Sequence, residues 1–423
     1  MQNVDKIISA KWVLSSKNDD LLRNHSVIIE GNIVKDILPS KEISKKYRTN
    51  NHRLLKSHII TPGLVNNNIC LPHIFSREYL KSNIPATQKN INNKAYLELS
   101  TEIALCQMIK NGITTFTDTS TYPEIILKQV IKSGVRANIG LPILSQKTNW
   151  AEKEQEYFKK SIGFYDEYRD NPSIKLYLNL NGIHMLSKSG FGKVSQIASE
   201  LDMPVRMYLH ENLGKLNTFK KKYKQRPIKF LEELGLLSNS FTAMNPFHMT
   251  KSDINIMKKY KVHVVHTPSL NIISKNIYCN TKLFLKNNIK VSLGTGEHTI
   301  GSSINLLNEM RLASLLSRLS VNKSDYLTQS ELLGLITNNG AESLGLDFNT
   351  GKLKPKYSAD IISIKINDLG MDKIDLYKCI ESELMSNNID NVWISGKQIL
   401  KDKKLLTINE DMLYHKFTEL IKN

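Results

Sequence analysis

Thr61-Pro-Gly-Leu-Val-Asn-Asn-Asn-Ile-Cys-Leu-Pro-His73 is the stretch whose reading decides the fold. It is an apolar strand running into a polar bend, and beyond it strand-like apolar runs alternate with amphipathic helices. Counting from Ile59 to Asn66, the runs continue at Ile113 to Asp118, Arg136 to Ile143, Ile174 to Asn181, Val205 to Glu211, Phe241 to Phe247, Val262 to Thr267 and Lys290 to Gly294. Alternating strands and helices predict parallel βα units. Eight of them predict an α/β fold of the TIM (β/α)8 barrel type, with its active site at the C-terminal ends of the strands.

The opening stretch also resembles the first barrel strand of the metal-dependent amidohydrolases, in the branch of the methylthioadenosine/S-adenosylhomocysteine deaminases and the triazine (TRZ/ATZ) hydrolases. Those proteins read Pro-Gly-Leu-Val-Asn-x-His-x-His here, and the two histidines hold the metal. Pro62, Gly63, Leu64, Val65 and Asn66 match, whereas Asn68 and Cys70 stand at the histidine positions. The helix Thr101 to Gly112 followed by Ile113-Thr-Thr-Phe-Thr-Asp118 resembles the family's helix and Gly-x-Thr-Thr-x-x-Asp strand. Gly351-Lys-Leu-Lys-Pro-Lys-Tyr-Ser-Ala-Asp360 resembles Gly-x-Leu-x-x-Gly-x-x-Ala-Asp, with Lys356 at the second glycine.

Both ends of the chain carry further strands. Ile7 to Val13 and Ser26 to Ile37 are β-branched runs, the second turning at Glu30-Gly-Asn32 as a hairpin does. Ser358 to Asn367 and Val392 to Leu400 are their partners at the other end, the last turning at Ser395-Gly396. The resemblance implies that these segments combine into a small composite β-sandwich, 1–58 with 347–423, flanking a barrel of residues 59–346.

In this family the resemblance places metal ligands after strands one, five, six and eight. Pro204-Val-Arg-Met-Tyr-Leu-His-Glu-Asn212 puts Tyr208 at the strand-five histidine and Glu211 at the proton-shuttling glutamate. Ala243 to Thr250 puts Asn245 on the strand-six ligand, and Ser292-Leu-Gly-Thr-Gly296 puts Gly296 on the strand-eight aspartate. All five ligand positions, Asn68, Cys70, Tyr208, Asn245 and Gly296, are therefore substituted. Neutral amides and a glycine do not bind zinc or iron usefully, so no cofactor is expected, although the family uses one divalent metal, zinc or iron. Glu211 remains as a vestigial acid/base. His184, His266 and Thr87 stand at positions that the resemblance gives to substrate binding, and the stretch Arg77 to Pro85 is short for the family's covering loop. A metal site rebuilt from Cys70, His210, His248 and His298 is the competing reading. His210 also occurs in intact family members, so histidines lining a polar barrel mouth are the preferred one.

The expected function is that of an amidohydrolase relative, a C–N bond hydrolase of adenosine-type or cyclic substrates by lineage, whose metal-dependent activity is lost or strongly impaired. A non-catalytic ligand-binding or oligomeric partner and an active hydrolase with a relocated metal are the alternatives. A purine-like ligand fits Glu211 and His184, and the resemblance implies a homodimer. Composition narrows the rest. At 423 residues the chain exceeds a single core, and 40% hydrophobic residues are ample to bury one. The net charge of +18 is spread over Lys-rich turns and helix surfaces without a reading motif or aromatic platform, so no nucleic-acid partner is expected. No run reaches the roughly 20 apolar residues of a membrane span. The four cysteines, Cys70, Cys106, Cys279 and Cys379, have no paired spacing. Together these predict a cytoplasmic protein with reduced thiols and no membrane partner.

Overall fold

In the computed structural model the described residues are 1–15, 20–73, 93–275, 277, 279–296, 304–320, 322–345, 350–366 and 388–422. Four strands of the larger terminal sheet open the chain, β1 (Lys6–Ser15), β2 (Asp20–Glu30), β3 (Ile33–Pro39) and β4 (His52–Pro62), beside a two-residue pair, Gln2–Asn3 with Tyr47–Arg48. Eight follow: β5 (Leu64–Ile69), β6 (Ile113–Asp118), β7 (Arg136–Pro142), β8 (Ile174–Leu180), β9 (Val205–Tyr208), β10 (Phe241–Met244), β11 (His263–His266) and β12 (Val291–Leu293). The last four are β13 (Ile361–Lys365), β14 (Ile389–Ile394), β15 (Lys397–Lys401) and β16 (Lys404–Leu405).

Strands β5 to β12 pair in chain order, each parallel to the next. The ring closes through a bridge between Ile69 and Gly296, where the Gly296 N–H donates to the Asn68 carbonyl at 2.8 Å. This is the TIM barrel that the alternation predicts. β9 and β10 each end three residues before the sequence-based bounds. The reason is local: His210 (φ 57°) and Asn245 (φ 49°) take left-handed backbone, which ends a strand.

The first barrel strand differs from its expected span of Ile59 to Asn66. Residues 59 to 62 instead finish β4 and pair antiparallel with β13, with Pro62 opposite Ile361 and Ile59 opposite Ile364. The barrel strand begins only at Leu64. Gly63 makes the hand-over, because a Cβ there would lie 2.2 Å from Thr114 Oγ1. Only glycine lets the two sheets approach so closely.

The terminal strands form one eight-stranded sheet in the order β16-β15-β14-β13-β4-β1-β2-β3. It folds over on itself. Ile29 and Val34 from one end share a buried apolar cluster with Ile361 and Trp393 from the other. The β2–β3 and β14–β15 hairpin tips meet there, and Lys6 Nζ donates to the Gly396 carbonyl at 2.7 Å. Lys356, at the glycine position of the Gly-x-Leu pattern, holds φ 71°, and its N–H donates to the Val34 carbonyl at 2.8 Å. A lysine therefore sits in the backbone conformation that glycine would adopt without strain.

Helices coat the barrel. The one over Lys94–Lys110 is capped by Asn93, whose side chain accepts the Ala95 N–H at 2.9 Å, and it ends at Gly112 as the sequence predicts. It buries Ile103, Leu105, Met108 and Ile109 against the sheet. Each such side chain contributes about 1.5–3 kcal/mol when fully withdrawn from water. Among the described residues no helix is long and apolar enough to cross a membrane.

At the N-terminal end of the barrel strands, a buried ion pair joins the two sheets. Arg136, the first residue of β7, donates from Nε to Asp360 Oδ2 at 2.8 Å and from Nη2 to Ser358 Oγ at 2.7 Å, and it also reaches Ser395 Oγ. Asp360 further accepts from Thr350 Oγ1 at 2.7 Å, Ser358 Oγ at 2.9 Å and the Ser395 N–H at 2.7 Å. Every oxygen of this carboxylate is satisfied, which is what a buried charge needs. The Ala359-Asp360 end of the Gly-x-Leu pattern is thus the floor of the barrel.

Candidate functional site

The opposite end of the strands is the mouth, and the five positions that the resemblance gives to metal ligands lie there, on β5, β9 and just beyond β5, β10 and β12. Asn68 Nδ2 lies 3.4 Å from Tyr208 OH, and Asn68 Oδ1 accepts from Thr119 Oγ1 at 3.4 Å. The register thus unites residues 140 positions apart. Asn245 is tied more firmly: its Nδ2 donates to Thr267 Oγ1 at 3.0 Å, while its Oδ1 accepts the Thr267 N–H at 3.1 Å and Asn271 Nδ2 at 2.9 Å. Asn66, one pleat before Asn68, receives the Thr295 N–H at 3.1 Å and donates to Thr295 Oγ1 at 2.9 Å.

Gly296 is the most telling of the five. It has φ 75°, and a Cβ added to it would lie 2.6 Å from Leu270 Cδ2. Leu270 therefore fills the space into which an acidic side chain at 296 would project.

A hydrolytic metal requires several histidine, cysteinate or carboxylate donors with an open position for water. Of the five side chains, two are amides bonded within the protein, one is a phenol, one is absent, and only the buried Cys70 has a donor of suitable softness. These residues do not fit zinc or iron. Among the described residues no three His, Cys, Asp or Glu side chains group so as to hold a metal. His210 is engaged elsewhere, its Nδ1 3.2 Å from Arg226 Nη2, and Arg226 is itself fixed on Asp253 at 2.6 and 2.9 Å and on the His248 carbonyl. Burial pushes the His210 imidazole well below its ordinary value, so the ring is neutral. His298 lies outside the described residues. Burial also pushes the Cys106 thiol up to about 12 and the Cys279 thiol higher still, so neither is a thiolate at neutral pH. Cys379 lies outside the described residues.

Of the residues expected to meet a ligand, the structure brings Glu211 and His184 together. Glu211 follows β9, one-tenth exposed, and Lys215 Nζ lies 3.4 Å from its Oε1. His184 is exposed on the turn after β8, its ring against Gly182. Partial burial and then the Lys215 charge lower its proton affinity, and Glu211 opposes them. The three side chains therefore share one electrostatic neighbourhood at the mouth. His266 turns away from it. It is fully buried, Nε2 accepts the Cys279 N–H at 3.5 Å, Nδ1 lies 3.2 Å from Thr281 Oγ1, and burial holds it at about 3. Thr87 and the Arg77 to Pro85 stretch lie outside the described residues.

Three participants escape a motif-based reading. Lys215 is one, although Glu211 and Lys215 at i, i+4 spacing carry its signal. Leu270 is another and leaves no signal, since its effect depends on contact with Gly296. The third is Arg206, whose charge in the strand Val205-Arg-Met-Tyr208 is visible but whose inward direction follows only from the barrel.

The chain belongs to the amidohydrolase family, whose profile matches residues 59–399. It is 26% identical over 425 residues to the 5-methylthioadenosine/S-adenosylhomocysteine deaminase of Saccharophagus degradans, spanning 97% of this chain and 95% of that one. Its fold matches a zinc-bound adenosine deaminase from Xanthomonas campestris with a TM-score of 0.93 at 22% identity, covering 100% of this chain and 98% of that one. It also matches the zinc complex of atrazine chlorohydrolase TrzN from Arthrobacter aurescens with a TM-score of 0.87 at 17% identity, covering 98% and 100%. The lineage is thus that of hydrolases and deaminases, and the zinc belongs to those two proteins.

Proposed function

We propose that this chain binds an adenosine-type ligand at the barrel mouth without metal-dependent hydrolysis, as a member of a deaminase lineage that has lost the reaction. The observation that carries the reading is the refilled ligand set, with Asn68 and Asn245 bonded within the protein and Leu270 occupying the space beside Gly296. Deamination needs a hydroxide-equivalent nucleophile at neutral pH, which the metal supplies in such enzymes by lowering the pKa of bound water to ~7. Glu211 has no such water to deprotonate. Its carboxylate, with the exposed His184 imidazole beside it, retains the ability to accept from and donate to a purine and its ribose.

The test is elemental analysis of protein purified without chelator and offered zinc, iron and manganese, alongside calorimetry and turnover with 5′-methylthioadenosine. The expected result is well under one metal per chain, no deamination, and measurable binding. Glu211→Gln and His184→Ala should each weaken binding by about tenfold, the worth of a hydrogen bond to a charged or polar partner. Near-stoichiometric metal with turnover would refute the loss of the reaction, and no binding of the nucleoside would refute the retained ligand.

A further inference from the structure

The barrel interior below the mouth contains an arginine whose charge no described residue balances. Arg206, on β9, is 1% exposed. Its guanidinium donates from Nη1 to Thr117 Oγ1 at 3.2 Å and from Nη2 to the Asn67 carbonyl, and it lies 5.3 Å from the centre of the Tyr177 ring. All three partners are neutral, and among the described residues no carboxylate lies within ion-pair distance of Arg206. Arg136 shows how the same chain handles a buried guanidinium when it can, with Asp360 at 2.8 Å. His263, buried on β11, adds no charge of either sign, since burial and then the Arg206 charge keep its imidazole neutral.

Around Arg206 the interior carries polar atoms with no hydrogen-bond partner among the described residues. They are Arg206 Nε, both amide atoms of Asn138, Thr115 Oγ1 and Asn179 Oδ1. All four residues are 1% exposed or less. Register places them together. Asn179 pairs with Arg206, and Asn138 pairs with Thr117, which holds the guanidinium; Thr115 lies one pleat from Thr117 on the same strand face.

A buried unpaired cation costs several kcal/mol, far more than an orphaned hydroxyl or amide, and arginine does not shed its proton to escape the cost. Water alone satisfies donors and leaves the charge. We propose that the barrel interior holds a halide-sized monovalent anion beside Arg206, hydrogen-bonded by Arg206 Nε, Asn138 Nδ2 and Thr115 Oγ1. The orphaned acceptors Asn138 Oδ1 and Asn179 Oδ1 take water from the same shell. One net positive charge and three donors, with no second cation in direct contact, suit a halide rather than a phosphate or a dicarboxylate. Tyr208 stands two residues beyond Arg206 on the same strand face, so the anion sits beneath the former metal position. The site is independent of what the mouth binds.

The probe is bromide. Crystals grown or soaked in sodium bromide should give an anomalous peak inside the barrel within hydrogen-bonding distance of Arg206 Nε. The melting temperature should rise by about 2 °C or more in bromide or chloride relative to gluconate at matched ionic strength, as expected for a ligand that binds only the folded state. Arg206→Met should abolish the halide-dependent part of that rise, and Thr115→Val with Asn138→Leu, which keeps the cation, should weaken halide binding about tenfold. Bromide peaks confined to the surface, or a halide effect undiminished in Arg206→Met, would overturn the proposal. If Arg206→Met does not fold, the anomalous map of the unaltered chain decides alone.

Discussion

The two ends of the barrel were rebuilt to very different extents. At the floor, Arg136, Ser358 and Asp360 lock the terminal sheet to the barrel with every polar atom of the carboxylate satisfied, and the Ala-Asp ending of the Gly-x-Leu pattern is intact. At the mouth, the five positions that the resemblance gives to metal ligands carry two amides, a phenol, a thiol and a glycine, with Leu270 against the last. In a barrel of this kind the N-terminal ends of the strands serve stability and the C-terminal ends serve chemistry. The residues at the mouth can therefore vary while the floor keeps the fold.

The sharpest way to break this contrast is at the floor. Asp360→Ala strips Arg136 of its counter-charge inside the protein and should cost about 3–5 kcal/mol in urea unfolding. A loss under 1 kcal/mol would mean that the pair is not what joins the sheets. At the mouth, Gly296→Asp should not recover metal but should destabilise by about 3 kcal/mol, through the left-handed backbone and the collision with Leu270. Adding Leu270→Ala should recover the collision part. Equal stability of the single and double variants would show that Leu270 does not guard the position.

Acid probes the mouth end by another route. Burial holds His266 at about 3 against an ordinary 6.5, so the folded chain keeps it neutral while the unfolded chain takes up its proton. Its contribution is intact above pH 6.5 and erodes as pH falls from there towards about 3. Glu309 and Asp118 act in the opposite sense, because burial raises them to about 7 and about 6. Their protonated forms favour the folded chain at low pH, and that stability is lost as pH rises through those values. The carboxyl gain is complete once pH falls below their ordinary range of 3.8–4.5, so the three groups together should hold or slightly raise stability as pH falls from 6.5 to about 4.5 and lower it only below about 3.8, where the His266 loss stands alone. His266→Asn should reduce the slope by about 1.4 kcal/mol per pH unit below 6.5. An unchanged slope would mean that His266 is protonated in the fold. The smallest effect belongs to Lys215→Ala, which removes a half-exposed partner of Glu211 and should change stability by less than about 1 kcal/mol. Its influence should register instead as a rise in the His184 pKa by NMR titration, since the Lys215 charge holds that imidazole down.

Much of the architecture is legible in the sequence because it rests on short-range rules. The eight barrel strands follow from apolar runs between helices, the Glu30-Gly-Asn32 and Ser395-Gly396 turns from residues that accept left-handed backbone, and the stop of the Lys94–Lys110 helix from Gly112. The chemistry of Asn68, Tyr208, Asn245 and Gly296 is equally legible, because two amides, a phenol and a missing side chain are fixed by residue type whatever the fold does. The hand-over of residues 59 to 62 to the terminal sheet was not, since it depends on Thr114 leaving no room for a Cβ at Gly63. Nor was the withdrawal of His266 from the mouth, which rests on Cys279 and Thr281 closing over it. Residue types and spacing thus determined the barrel and the flanking sheet. Only the tertiary structure decided that Leu270 fills the space at Gly296 and that Arg206 points inward with no carboxylate among the described residues beside it, because both depend on contacts between strands and loops far apart in the chain.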